Sequence, residues 1–235
     1  MDLSDVSFLQ KGEGKDLVFF HGYLSNKEAF VSQVEYFSRF FRVTAFDFLG
    51  FGHSRALTKP FSVSDYAEWT KEVLTLLNVR KPHVIAHSFG CRVAVKMAAK
   101  EDVFDKMVLT GPAGIILPRS WKYHLKVKAY RLVKKIAPRF AEKKFGSAEY
   151  KTLSPLMKES YKKIVNEDLR EDAKRIKSEV LLVQGAEDFV TTEAEARTYL
   201  QSFPRGRLTY IEGGHFAFAE DPVAFNLSVE DFLYD

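Results

Sequence analysis

The chain has 235 residues, of which 46% are hydrophobic and 28% charged, with a net charge of +4 and one cysteine. That length allows one large α/β domain or two small ones, and the composition supplies a sizeable core and argues against an intrinsically disordered chain. The lone cysteine excludes an internal disulfide framework and a cysteine-based zinc cluster. No apolar run approaches the roughly 20 residues that span a bilayer, so no transmembrane segment is expected. The start, Met1-Asp2-Leu3-Ser4-Asp5, is acidic and lacks the basic and apolar regions of a signal peptide, which points to the cytoplasm. Charge is unevenly spread: Leu117 to Ile176 holds 17 Lys plus Arg against 7 Asp plus Glu, and the remainder 18 against 24. Two bodies with different surfaces are expected from that contrast.

Val6–Leu9 reads as a short strand, followed by a turn at Gly12-Glu13-Gly14. Leu17-Val18-Phe19-Phe20 is wholly apolar, as a buried parallel strand should be, and ends at His21-Gly22-Tyr23-Leu24. Ser25 or Asn26 caps a helix through about Phe41, with apolar positions at Phe30, Val34 and Phe37. Val43–Phe46 is the next strand, ending at Asp47 and the loop through Ser54. Ser62 or Ser64 caps a helix reaching Leu77. His83–Ala86 is a strand, Ser88 opens the following helix, and Met107–Thr110 is another strand, closed by Gly111-Pro112. Strict alternation of strand and helix implies a parallel sheet with helices on both faces. Functional residues are then expected at the carboxyl ends of the strands, where His21, Asp47, Ser88 and Gly111 stand.

Residues 117–176 break the rhythm. They hold no convincing strand, have helical spacing at Trp121, Leu125, Lys128 and Leu132, and are divided by Pro138, Gly146 and Pro155 into three or four short helices. Alternation resumes with Val180–Val183, which leads to Gly185-Ala186-Glu187-Asp188. A helix opens at Thr191 or Thr192, Leu208–Ile211 is the last strand, Gly213-Gly214-His215 follows, and Asp221-Pro222 starts the final helix. The expected organisation is a core of residues 1–116 and 177–235 with a helical lid inserted at 117–176.

Ser88 lies in Ala86-His87-Ser88-Phe89-Gly90, between a strand and a helix. So sharp a turn needs small residues two before and two after the serine, and it lifts the hydroxyl to the top of the sheet. A serine hydroxyl is a weak nucleophile and needs a base, itself oriented by an acid. His215 and Asp188 supply these in the order serine, acid, histidine, each after a predicted strand; Glu187 is the substitute for Asp188. Gly213-Gly214 gives the histidine a small-residue loop. Two backbone N–H groups are expected to hold the oxyanion: that of Phe89, at a helix N-terminus, and that of Tyr23, beside Gly22. His21 braces that loop, and His83 and His87 are structural. Gly50-Phe51-Gly52 lacks the third glycine of a phosphate-binding loop and reads as a tight turn. Cys91 is a small buried helix residue.

These stretches resemble the α/β-hydrolase superfamily, in its lid-bearing branch, over nearly the whole chain. The resemblance rests on His21-Gly22, Asp47-x-x-Gly50-x-Gly52-x-Ser54, Ala86-His87-Ser88-Phe89-Gly90, Gly185-x-x-Asp188 and Gly214-His215. It implies an oxyanion loop, a structural turn, a nucleophile elbow, an acid loop and a base loop, in that order. It also implies an eight-stranded, mostly parallel sheet. The short stretch before His21 leaves room for seven or eight strands. Ser88 argues against the relatives that use an aspartate nucleophile. Cys91 replaces a second glycine common in carbon–carbon bond hydrolases.

The main expectation is therefore a serine hydrolase of a small carboxylic ester or thioester, with no metal or organic cofactor. The alternatives are carbon–carbon cleavage of a vinylogous diketone by the same triad, and a ligand receptor of the same fold with weak turnover. Trp121, Tyr123 and His124 are the expected substrate-lining residues of the lid. A lysine cluster at Lys126, Lys128, Lys134 and Lys135 would favour an anionic substrate. No nucleic-acid-binding motif is present, and oligomeric state is not legible.

Overall fold

A computed structural model describes residues 2–118 and 152–235. Seven strands form one sheet: β1 (Phe8–Lys11), β2 (Asp16–Phe20), β3 (Arg42–Phe46), β4 (His83–His87), β5 (Lys106–Thr110), β6 (Glu179–Gly185) and β7 (Gly206–Ile211). Their spatial order is β1-β3-β2-β4-β5-β6-β7, and every pairing is parallel except β1 with β3. The strand order reverses between β2 and β4, which places the most buried strands at the centre. Every residue of β2 and of β4 is buried, and their continuous apolar runs follow from helices covering both faces.

Alternation along the strands sorts side chains to the two faces. Val18, Phe20, Val84 and Ala86 pack against α2 (Val63–Leu76) and α3 (Phe89–Lys100) through Tyr66, Trp69, Val73 and Val93. Leu17, Phe19, Ala45 and Ile85 pack instead against α1 (Val31–Phe37) and the C-terminal helix through Val34, Phe37, Phe225 and Val229. Between β5 and β6 the described chain carries α4 (Pro155–Val165) and α5 (Arg170–Ala173); α6 (Glu193–Ser202) joins β6 to β7, and α7 (Ala217–Glu220) and α8 (Pro222–Tyr234) end the chain. Among the described residues, no helix is long and apolar enough to cross a membrane, and no cluster of acidic, histidine or cysteine side chains could hold a metal ion.

The helix caps follow their sequence signals. Ser62 and Asp65 form a reciprocal capping box on α2, and Thr192 with Glu195 does the same on α6. Asp221 accepts the Ala224 N–H ahead of Pro222 at the start of α8. Two elements differ from expectation in their bounds, and one was not expected. The first strand starts at Phe8, not Val6, because Asp2 caps a 3-10 turn at Leu3–Asp5 and the ladder begins where Phe8 meets Phe46. The helix capped by Asn26 begins as a 3-10 turn (Lys27–Phe30), continues as α1, and ends at Phe37 rather than Phe41; both Phe40 and Phe41 N–H groups fold back on the Phe37 carbonyl. The short helix α7 had no signal of its own. It is held by Glu220 accepting the Gly214 N–H and by Gln33 donating to the Phe218 carbonyl.

Candidate active site

Ser88 is the single residue between β4 and α3, and its backbone sits at φ 49° and ψ −106°. A non-glycine residue at positive φ is strained, at a cost of about 1–3 kcal/mol, and is retained only where its surroundings fix it. The Ser88 N–H donates to the Thr110 carbonyl at 3.1 Å and its own carbonyl accepts from Cys91, so the turn is fastened to β5 and to the helix. Gly90 permits the bend: a Cβ there would run into the Phe20 carbonyl. Ala86, at the other small position, is fully buried and tolerated. Cys91 is buried with its thiol donating to the Ala86 carbonyl, and burial pushes its pKa up, which makes it an inert packing residue.

Asp188 and His215 follow β6 and β7. His215 Nδ1 lies 2.8 Å from Asp188 Oδ2. An ionised carboxylate only accepts, so the imidazole donates from Nδ1, and in the neutral ring Nε2 is then the acceptor. Asp188 is buried, and burial by itself would raise its pKa; the hydrogen bonds from His215 and from the Thr191 hydroxyl and N–H outweigh it and hold the carboxyl below its ordinary value. Asp188 Oδ1 accepts from the Val190 and Thr191 N–H groups at 2.8 and 2.9 Å, and Oδ2 accepts the Thr191 hydroxyl at 2.7 Å. The small-residue loop before His215 is pinned as well: the Gly213 carbonyl accepts from Glu187, and Glu220 holds the Gly214 N–H.

The early loop is fixed by His21, fully buried. The Phe48 N–H donates to His21 Nε2 at 2.9 Å, which leaves Nδ1–H to donate to the Gly22 carbonyl at 2.7 Å. That carbonyl also accepts from Ser25, so the loop turns tightly and carries Tyr23 over the elbow. A Cβ at Gly22 would lie 2.7 Å from His87 Nδ1, so only glycine lets the loop come this close. Asp47, at the end of β3, accepts from the Lys27 and His53 N–H groups and from Lys27 Nζ, which makes its loop a structural turn.

Ser88, His215, Tyr23 and Phe89 line one cavity of about 360 Å³. Phe89 opens α3, where backbone N–H groups lack intrahelical partners. Asp188 stands behind His215. Trp121, Tyr123 and His124 and the lysines from 126 to 135 lie outside the described residues. Tyr161, an aromatic of the inserted segment expected to line an acyl pocket, does line the cavity, whereas sequence alone gave no signal for the wall residues Arg92, Gly114, Leu153, Ile164 and Glu195. Thr191 was read only as a helix start; its position three residues after a strand-end aspartate was the available signal. His87, read as structural, also lines the cavity, and donates from Nε2 to the His215 carbonyl at 2.9 Å.

Burial pushes the pKa of His21 down to about 4, and burial together with neighbouring His215 pushes that of His87 down to about 3. In the unfolded chain both titrate near ~6.5. As pH falls below that value the unfolded state takes up protons first, so stability that is complete above it is lost toward the folded values, by about 1.4 kcal/mol per pH unit per histidine. Denaturant titrations at pH 7 and pH 5 are expected to differ by on the order of 2–4 kcal/mol from this source. Equal stabilities at the two pH values would exclude it.

Comparison with known proteins adds relatives on both scales. A hydrolase of Acinetobacter baylyi, (E)-2-((N-methylformamido)methylene)succinate hydrolase, is 32% identical over 106 residues, covering 44% of this chain and 40% of that protein. A probable lysophospholipase of Arabidopsis thaliana, BODYGUARD 3, is 31% identical over 132 residues, covering 53% of this chain and 26% of that protein. The matched stretches thus span less than half of either curated relative. An esterase from Exiguobacterium antarcticum superposes with a TM-score of 0.79 at 21% identity, covering 98% of this chain and 96% of that one, which shows a shared fold. The family model for the alpha/beta hydrolase fold matches residues 16–156, more than half of the chain, and that match, on a sheet with one antiparallel edge strand and a strained strand–serine–helix turn, places the chain in the α/β-hydrolase fold family.

Proposed function

We propose that the protein hydrolyses small carboxylic esters or thioesters through an acyl-enzyme on Ser88. The observation that carries this reading is the strained Ser88 elbow sharing a cavity with His215, whose Nδ1 is held by Asp188 at 2.8 Å. Ser88 Oγ attacks the carbonyl carbon while His215 Nε2 takes its proton; the C–O or C–S bond to the leaving group then breaks and that proton goes to the departing alcohol or thiol. Water, deprotonated by His215, attacks the acyl carbon and releases the carboxylic acid from Ser88. The Phe89 and Tyr23 N–H groups hold the oxyanion in both steps. Asp188 orients the imidazole and stabilises its charged form. The inserted segment between β5 and β6, proposed here as a lid, selects the acyl group.

A fluorophosphonate probe followed by peptide mapping tests the reading. Labelling is expected on Ser88 and is expected to be suppressed in His215→Ala. Label at another residue, or undiminished label in Ser88→Ala, would overturn it. Turnover of a vinylogous diketone without turnover of p-nitrophenyl esters would replace it by the carbon–carbon reading.

A further inference from the structure

Arg92 stands in the first turn of α3, four residues after Ser88, the residue that caps the helix. Side chains on a helix lean toward its N-terminus, which here is the nucleophile's end. Arg92 is buried and lines the cavity that holds Ser88 and His215. Its Nη1 donates to the Ile164 and Glu167 carbonyls at 2.9 and 2.8 Å, which fastens the end of α4 to the body. Nε and Nη2 make no hydrogen bond to a described residue, and among the described residues no carboxylate pairs with this guanidinium. A buried arginine is ordinarily paired, because desolvating its charge is costly.

The edge without a described partner has a defined geometry. Arg42 in the same chain uses its Nε and Nη2 to grip Asp16 Oδ1 and Oδ2 at 2.6 and 2.9 Å. Arg92 keeps that same edge, the one suited to two-point binding of a carboxylate. Leu153, Ile164 and Phe216 supply apolar walls, and the acidic wall residue Glu195 is occupied in the capping box with Thr192. We infer that Arg92 binds a carboxylate carried on the acyl half of the substrate, so that the protein's preferred esters are half-esters of short dicarboxylic acids. This inference rests on the acyl-enzyme reading above and names its substrate class. With the carboxylate held about one helical turn from Ser88, the ester carbonyl is presented at the elbow and the alcohol leaves away from the arginine.

The experiment compares monomethyl succinate, glutarate and adipate with methyl succinamate, glutaramate and adipamate, neutral partners of the same shape. The wild type is expected to favour at least one acid over its amide by 10-fold or more in kcat/KM. In Arg92→Met that ratio is expected to fall about 10- to 100-fold, with Arg92→Lys between the two. Glutarate is expected to raise the thermal midpoint of the wild type and of Ser88→Ala, and not that of Arg92→Met. That readout needs no turnover, and in the wild type and Ser88→Ala it does not depend on how Arg92→Met folds. Equal wild-type turnover of acid and amide, or an equal fall of both in Arg92→Met, would overturn the inference and leave Arg92 as a cap on α4. Absence of ester turnover together with an unlabelled Ser88 would instead overturn the acyl-enzyme reading.

Discussion

Ser88→Ala is expected to lower kcat/KM for p-nitrophenyl acetate by about 10⁴-fold or more while leaving the far-ultraviolet circular dichroism spectrum unchanged. In the proposed mechanism the hydroxyl carries the atom that forms the acyl-enzyme, and without it only the small residual rate from the proposed oxyanion donors and binding is expected to remain. The fold is expected to survive because what fixes the elbow is backbone: the Ser88 N–H on Thr110 and the close passage of Gly90 beneath Phe20. A companion variant separates chemistry from strain. At φ 49° a Cβ is disfavoured, so Ser88→Gly is expected to be as inactive as Ser88→Ala yet more stable than it by about 0.5–2 kcal/mol in denaturant titrations. Retention of more than one hundredth of the activity by either variant would show that another group is the nucleophile.

Asp188→Asn is expected to cost about 10⁴-fold in kcat with the structure retained. The amide oxygen can still accept from the Val190 and Thr191 N–H groups, so the loop keeps its shape. The amide nitrogen then occupies the place of Oδ2 and presents a donor to His215 Nδ1 and to the Thr191 hydroxyl. The imidazole must answer as an acceptor at Nδ1, which moves its proton to Nε2 and leaves nothing to deprotonate Ser88. Steady-state rates at pH 8, beside the thermal midpoint, test this. A loss below 10-fold would move the orienting role elsewhere. Glu187, exposed and adjacent, is the natural alternative to assay by Glu187→Gln.

The elbow was legible because its requirements are local. A β-branched strand, a small residue, a serine, a second small residue and a helix constrain one another within a few positions of the chain. The same holds for β2 and β4, whose unbroken apolar runs can be buried only between two helical layers, and for the cap at Asp221; at the other two helices the sequence left Ser62 or Ser64 and Thr191 or Thr192, and the fold chose Ser62 and Thr192. The order of Ser88, Asp188 and His215 was readable because each followed its own strand. Strand lengths and α1's early end were not, since they depend on where the β1–β3 ladder starts and where the chain folds back on Phe37.

Sequence by itself determined the strand–helix alternation, the strained turn at Ser88 and the candidate acid and base, because backbone sterics and hydrophobic periodicity act between near neighbours. Only the tertiary structure decided that His215 meets Asp188 at 2.8 Å, that His21 locks the Tyr23 loop, and that Thr191 completes the acid's hydrogen bonds. It alone revealed Arg92. In the sequence that arginine is one charge in an amphipathic helix. In the folded chain the carbonyls of Ile164 and Glu167, more than 70 residues away, engage Nη1 and leave Nε and Nη2 without a described partner in a wall of the cavity. The physical reason is that a charged group's role depends on which partners the fold brings to it once water is removed, and distant segments set those partners.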